Sequence, residues 1–520
     1  MKRVNARVSI PLKTASFRFV LKTIKKEWQS AILPALRPNT HLIGFQRRSL
    51  VAFQVPLCPF GRLASYDGTT CASIICRGSD QIPKDPFGLR RRGNRRLSRH
   101  RPPENVTEKL LSVTFSKKPD KPPKSNGEYF PQLSSSYHLP FLYAYFLYEI
   151  NHHITDQSAL LALKDHVIHD PENVLTTNWS ASSPHRRVTA LDLTGLGIVG
   201  TLPPHLGNLS FLSLLYVTNN SFYGGLPVQL SNLRRLKYLS FGNNSFNGEI
   251  PSRLGSLTEL RRLFLYQNKF KGVIPFSLAY LSKLEVLYLF ENQISGSIPS
   301  TIFNISSLQV IDLSYNMLTG SIPSVPRDLL LLEVIDFTSN NLTGHIPKDM
   351  FDHLPNLKGL YWSFNLLSGR IPASLFKCKE LQVLSLSFNQ MEGNLPIEIG
   401  NLNLLLYIYI GQNHFEGIIP REIGNLKNLK LLHLGFNNIV GSIPSQVFNI
   451  STLRKISFDG NQLSGHLPSN MGLFLPNLEE LYLGANYLVG SIPIVPGQFW
   501  PNPIYKILKT YPNPFTTLTH

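Results

Sequence analysis

The tetrapeptide Gly-x-(Ile/Leu)-Pro returns thirteen times along this chain, with its Gly at 200, 224, 248, 272, 296, 320, 344, 369, 393, 417, 441, 465 and 490. Ten of the twelve intervals are 24 residues and two are 25. An Asn stands four residues before every Gly but the first, from Asn220 to Asn486; the first coil has Leu196 instead. Upstream of each Asn runs Leu-x-x-Leu-x-Leu or a close variant, as in Leu308, Ile311, Leu313 and Asn316. A unit of 24 residues is too short to bury a core by itself. A fixed period of that length therefore calls for a stack of coils that share one core.

Each part of the unit has a physical task. Leu-x-Leu alternation predicts a short strand with every second side chain turned inward. The Asn amide offers two donors and an acceptor where the chain leaves that strand, enough to serve backbone groups of its own coil and the next. The Gly permits a tight path. The Pro ends a second short strand by removing a donor.

This pattern is identified as a leucine-rich repeat array, and its Leu-x-Gly-x-Ile-Pro half resembles the plant-specific class. Thr155-Asp-Gln-Ser-Ala-Leu-Leu-Ala-Leu-Lys164, with Asn178-Trp179 after it, resembles the helical cap that opens plant leucine-rich repeat receptor kinases. The likeness runs over residues 154–495. It implies an α/β fold: a right-handed solenoid of about 13 plant-type repeats with a concave parallel sheet. It implies the ectodomain of a cell-surface receptor at the plasma membrane, perceiving a peptide, steroid or microbial pattern. Its partners would be a peptide or protein ligand and a co-receptor ectodomain.

The chain departs from that family in places. The family's cap carries Cys-x-Trp-x-Gly-Val-x-Cys before the first repeat strand, whereas here Trp179-Ser-Ala-Ser-Ser183 runs straight into Pro184-His-Arg-Arg-Val-Thr-Ala-Leu191. Loss of a capping disulfide costs about 2–5 kcal/mol. An uncovered terminal coil that frays is the expectation. Asp-Phe-Gly, the His-Arg-Asp loop and Val-Ala-Ile-Lys are absent, so no kinase activity, and no enzyme, is expected from this chain. Gly195, Gly197 and Gly200 match Gly-x-Gly-x-x-Gly, but Pro203-Pro204 follows where a phosphate loop needs a helix start. No cofactor is expected.

The organisation read from these signals is 1–137, basic and without regular structure; 138–187, an apolar remnant and degenerate cap; 188–495, the repeats; and 496–520, a Pro-rich tail. Residues 1–137 hold 26 of the 51 Lys and Arg and 8 of the 32 Asp and Glu, so they carry +18 of the net +19. A solvated tail, a nucleic-acid or nuclear-targeting arm and an organelle leader all fit that composition. The repeats, close to neutral, point away from nucleic acid. Phe141-Leu-Tyr-Ala-Tyr-Phe-Leu-Tyr148 reads either as the remnant of a signal peptide behind a mis-joined leader or as a helix over the first coil. No run nears the ~20 apolar residues of a membrane-spanning helix. An intracellular or non-functional truncated repeat protein with a basic arm is the competing class.

The middle residue of each Leu-x-Leu points away from the core. Read down the array, these columns gather Phe264, Tyr266, Tyr288 and Phe290 into one aromatic patch, and Tyr361, Phe364, Phe388 and Tyr409 into a second. Asp312 and Asp336 lie between them, placed to pair with a basic group of a ligand. A water-facing aromatic stripe is a contact surface; cross-strand packing on a solvated sheet is the other explanation. Asn-x-Ser/Thr sequons make Asn178, Asn208, Asn219, Asn243, Asn304, Asn341 and Asn449 glycosylation candidates if the chain is secreted. Cys58, Cys71 and Cys76 lack the spacing and partners of a zinc site, and Cys378 fills a core slot, so no metal is expected.

Overall fold

The computed structural model describes residues 112–115, 155–177, 187–469 and 471–490. Each coil carries the two strands that the sequence calls for. A three-residue strand such as Val310–Asp312 turns through the Asn into a lateral strand such as Met317–Ser321, and a 3-10 segment such as Ser300–Asn304 follows the Pro. Stacking yields two sheets of fourteen strands, a primary and a lateral one, each ordered as the chain runs. Every repeat-to-repeat pairing is parallel; in the primary sheet the same residue of each coil stands on adjacent rungs, as for Tyr288, Asp312 and Asp336, whereas in the lateral sheet the register is offset, with Gly296 opposite Leu318. The molecule is thus a leucine-rich repeat solenoid whose core is the continuous column of Leu, Ile and Phe behind the primary sheet.

The asparagines close the coils, but they reach backward rather than forward. Asn316 Nδ2 lies within 3.0–3.1 Å of the carbonyls of Leu289, Leu313 and Ser314, and its Oδ1 accepts from Ile294 N–H in the preceding coil at 3.0 Å. The acceptor bond recurs for all twelve asparagines. This direction explains Leu196. The first coil has no repeat behind it for an amide to bond, and an apolar side chain is buried there instead. Gly200 differs from its fellows for a related reason. The others have φ near +80°, whereas at Gly200 a Cβ would run into the carbonyl of His166, the residue just before the strand Val167–His169 that pairs with it.

The first coil is also covered, contrary to the expectation of an open end. Residues 155–165 are helical and bury Ala159 and Leu163 against the core. Asp156, 3% exposed, takes a bidentate pair from Arg187 at 2.9 Å and also accepts Val188 N–H at 3.0 Å. The Arg187 and Arg235 guanidinium groups lie over the ring of Phe211, 4.3 and 4.1 Å from its centre. A charge-assisted clamp thus ties the cap helix to the first repeat strand. Four residues of the segment expected to lack regular structure, Ser112–Phe115, form a strand antiparallel to Val188–Asp192 at the edge of the primary sheet.

Candidate ligand-binding face

The outward face of the primary sheet assembles the predicted aromatic residues. Phe264 and Tyr288 share adjacent rungs and stack at 4.9 Å; Tyr266 and Phe290 stack at 4.8 Å with 6° between ring planes. The two stacks meet edge to face at Tyr288 and Phe290, 5.8 Å apart, so four rings form one block across two coils. Gly242 makes room for that block: a Cβ there would strike the Tyr266 ring. In the second patch Phe364 and Phe388 stack at 4.3 Å, while Tyr361 and Tyr409 lie two rungs apart with Ser385 between them.

These columns are less open than a water-facing stripe would be. Asp312 (0% exposed), Tyr409 (1%), Tyr361, Asp336 and Tyr288 are all buried. Alternation fixes the side of the sheet on which a residue stands, and neighbours on rungs only ~4.8 Å apart decide how much water it meets. Phe264, Tyr266, Phe290, Phe364 and Phe388 keep intermediate exposure. Beside the central column, two residues earlier in each strand, stand Val286, Val310, Val334 and Val383. They too are buried, yet they take no part in the core behind the sheet. The face therefore combines aromatic blocks, an apolar strip and an acidic centre.

The acidic centre is electrostatically unusual. Asp312 Oδ1 accepts from Ser314 N–H at 3.0 Å and from its hydroxyl at 2.6 Å, while Oδ2 has no hydrogen-bond partner. Asp336 Oδ1 accepts from Thr338 N–H at 2.8 Å on the adjacent rung. Burial and the neighbouring carboxylate push the Asp312 carboxyl well above the usual carboxylate range. Burial, then Asp312, raise the Tyr288 phenol. Such a site favours an incoming proton or cation.

Column-by-column reading missed Glu291 and Tyr315, which flank this centre. They occupy the position just before the Asn, which passes through the left-handed region in all twelve coils that carry that Asn, with φ +54° and +53° at these two residues and +60° and +58° at Phe364 and Phe388. The signal lay in the 24-residue register, where the same slot holds Asn219 and Asn243, types that tolerate this backbone. Aromatic residues there bear a backbone cost that Asn or Gly would spare. Gln267 Nε2 donates to Glu291 at 3.0 Å.

Asn208, Asn219, Asn243, Asn304, Asn341 and Asn449 are all exposed, and Asn178 lies outside the described residues. Asn208, Asn304 and Asn449 each end a 3-10 segment, off the primary sheet. Cys378 is buried in the core, its thiol pushed up to about 12 by burial. Cys58, Cys71, Cys76 and the apolar run at 141–148 lie outside the described residues. No helix among the described residues is long and apolar enough to cross a membrane.

Parallel coils closed by an Asn ladder, with a second strand in each coil ending at Gly-x-Ile-Pro, define a leucine-rich repeat module of the plant receptor-ectodomain kind. Family models described as leucine rich repeat match residues 331–391, and 235–257, 283–305 and 307–329. The LRR receptor-like serine/threonine-protein kinase EFR of Arabidopsis thaliana is 36% identical over 80 residues, which are 13% of this chain and 8% of that protein. A second receptor-like protein kinase of the same plant is 38% identical over 81 residues, with the same coverage. The solved structure of PEPR1–AtPEP1 superposes with a TM-score of 0.61 and 34% identity, covering 65% of this chain and 49% of that one. The plant peptide hormone receptor RGFR1 in complex with RGF2 gives 0.52 and 33%, covering 59% and 53%. The chain thus spans about half the length of these receptor structures and matches under a tenth of the two kinases.

Proposed function

We propose that this ligand-binding repeat module works at the extracellular face of the plasma membrane as a receptor ectodomain for a peptide or protein ligand, with a co-receptor ectodomain as second partner. Perception of a pathogen-derived or endogenous peptide is the role it serves. The observation that carries this reading is the half-exposed aromatic block, Phe264, Tyr266 and Phe290, set one coil from the buried pair Asp312 and Asp336. Aromatic rings at a solvated surface supply contact area at low entropic cost. The acidic pair selects a ligand that brings a Lys or Arg. Phe364, Phe388, Tyr361 and Tyr409 would grip the same ligand on the three coils that follow Asp336. Similarity to receptor-like kinases, and to the structures of PEPR1–AtPEP1 and of a plant peptide hormone receptor with RGF2, supports the class. Glycans on Asn208, Asn304 and Asn449 would leave this face clear, which supports passage through the secretory route.

The test is selection of a phage-displayed random peptide library on the full chain expressed through a plant secretory pathway, with glycopeptide mapping of the same preparation. Enrichment of peptides that combine a basic with apolar residues is expected. The double variant Phe264→Ala with Phe290→Ala should weaken binding of the selected peptide at least tenfold, about 1.4 kcal/mol. Failure to enrich any peptide on folded protein, or equal binding by the variant, would remove the peptide-receptor reading from this face.

A further inference from the structure

The open side of the first repeat strand has the makings of a strand-acceptor site. Along Val188–Asp192 the odd-numbered residues turn their backbone groups toward the second coil: Thr189 C=O accepts Ser213 N–H at 2.8 Å, and Leu193 N–H donates to Tyr216 at 2.8 Å. The even-numbered residues face the other way. Val188 N–H is taken by the Asp156 carboxylate. That leaves the amides and carbonyls of Ala190 and Asp192 on an edge with no repeat beyond it. A row of unpaired backbone groups at a sheet edge recruits another strand.

We infer that this edge accepts one extended strand in antiparallel register, and that its occupant is Ser112–Phe115 of the same chain. The register places Thr114 opposite Ala190 and Ser112 opposite Asp192, the two residues whose backbone faces outward. A bulge between Thr114 and Phe115 brings Phe115 opposite Val188, whose N–H already has its partner in Asp156, so the ladder ends where the cap begins. A bulge is a usual way to end pairing at an edge. The stretch between Trp179 and Val188 carries no cysteine that could cross-link the cap to the first strand. The strand upstream supplies edge pairing that the cap helix does not. Ser112–Phe115 therefore belongs to the folded module, although it lies in the basic part of the sequence.

Two proline variants of the full chain separate this reading from a chance alignment. Proline at 114 removes the N–H directed at Ala190, whereas proline at 113 removes one directed away from the sheet, a loss that an edge strand tolerates. Hydrogen exchange at the Ala190 and Asp192 amides is the readout. Thr114→Pro should speed exchange there by about tenfold or more, with the central coils unchanged, and Val113→Pro should leave both amides at the unsubstituted rate. A synthetic peptide spanning residues 109–118, added to the Thr114→Pro protein, should restore slow exchange. Equal exchange in the unsubstituted and Thr114→Pro proteins, or equal acceleration by both prolines, would overturn the assignment. Neither outcome bears on ligand binding by the aromatic face.

Discussion

Two buried titratable side chains on the outward face pull the pH dependence of stability in opposite directions. The folded state holds the proton of Asp312 well above the ordinary value of 3.8, chiefly through burial and then through Asp336. The folded chain therefore binds more protons than the unfolded one as pH rises past that value, and this residue's contribution is lost as the folded carboxyl ionises. His433 behaves in reverse. Burial lowers its imidazole from 6.5 to about 4, with Ser387 Oγ 3.5 Å from Nδ1. Between those values the unfolded chain takes up the proton first, so stability falls as pH drops through that window. Asp312→Asn keeps an acceptor for Ser314 N–H and removes a buried charge. It should raise stability at pH 7 by about 1–3 kcal/mol and by less at pH 4.5. His433→Asn should flatten the fall between pH 6.5 and 4. Melting curves of the three proteins at pH 4.5, 5.5 and 7 check both. If Asp312→Asn melts with or below the unsubstituted protein at pH 7, the carboxylate is not the uncompensated charge described here. A variant that gains stability while losing a basic ligand would show what the site gives up for binding.

At the level of single coils and the cap, the sequence disclosed most of what repeats and little of what does not. Period, strand positions, the Asn ladder and the side of the sheet taken by Phe264 or Tyr361 followed from residues a few positions apart, because local backbone geometry dictates them. The backward reach of the asparagines did not, since the same amide could serve either neighbour until the stacking direction was known. Exposure of the central column was misjudged because it depends on residues one or more coils away. The clamp between Asp156 and Arg187 spans 31 positions of sequence and carries no motif. That clamp decides whether the cap holds. With Asp156 3% exposed, its replacement by Asn leaves the Arg187 guanidinium partly buried without a counter-charge. Breaking one side of such a pair costs about 3–5 kcal/mol. Asp156→Asn should therefore loosen helix 155–165 and the first strand while the middle coils stay protected. Unchanged exchange across residues 155–192 would mean that apolar packing of Ala159 and Leu163 alone secures the cap.

A stack in which each coil touches only its neighbours should not unfold everywhere at once, because stability is a sum of coil and interface contributions and the ends lack one interface. Trp362 offers a probe for this. It is the only tryptophan among the described residues, it is fully buried, and it packs between Phe337 and Phe351 at 5.9 Å from each, in the middle of the array. The first coil depends on the clamp and the edge strand. In the last described coil Tyr487 and Val489 are half exposed. In a variant with Phe at positions 28, 179 and 500, fluorescence reports the centre alone while far-UV circular dichroism reports every coil. Urea should therefore lower the dichroism signal before it shifts the Trp362 emission. Adding Asp156→Asn should advance the early phase and leave the tryptophan midpoint in place. Coincident transitions before and after that substitution would mean that the interfaces between coils are strong enough to make the whole array one cooperative unit. The cap would then stabilise the ligand face as well as the end it covers.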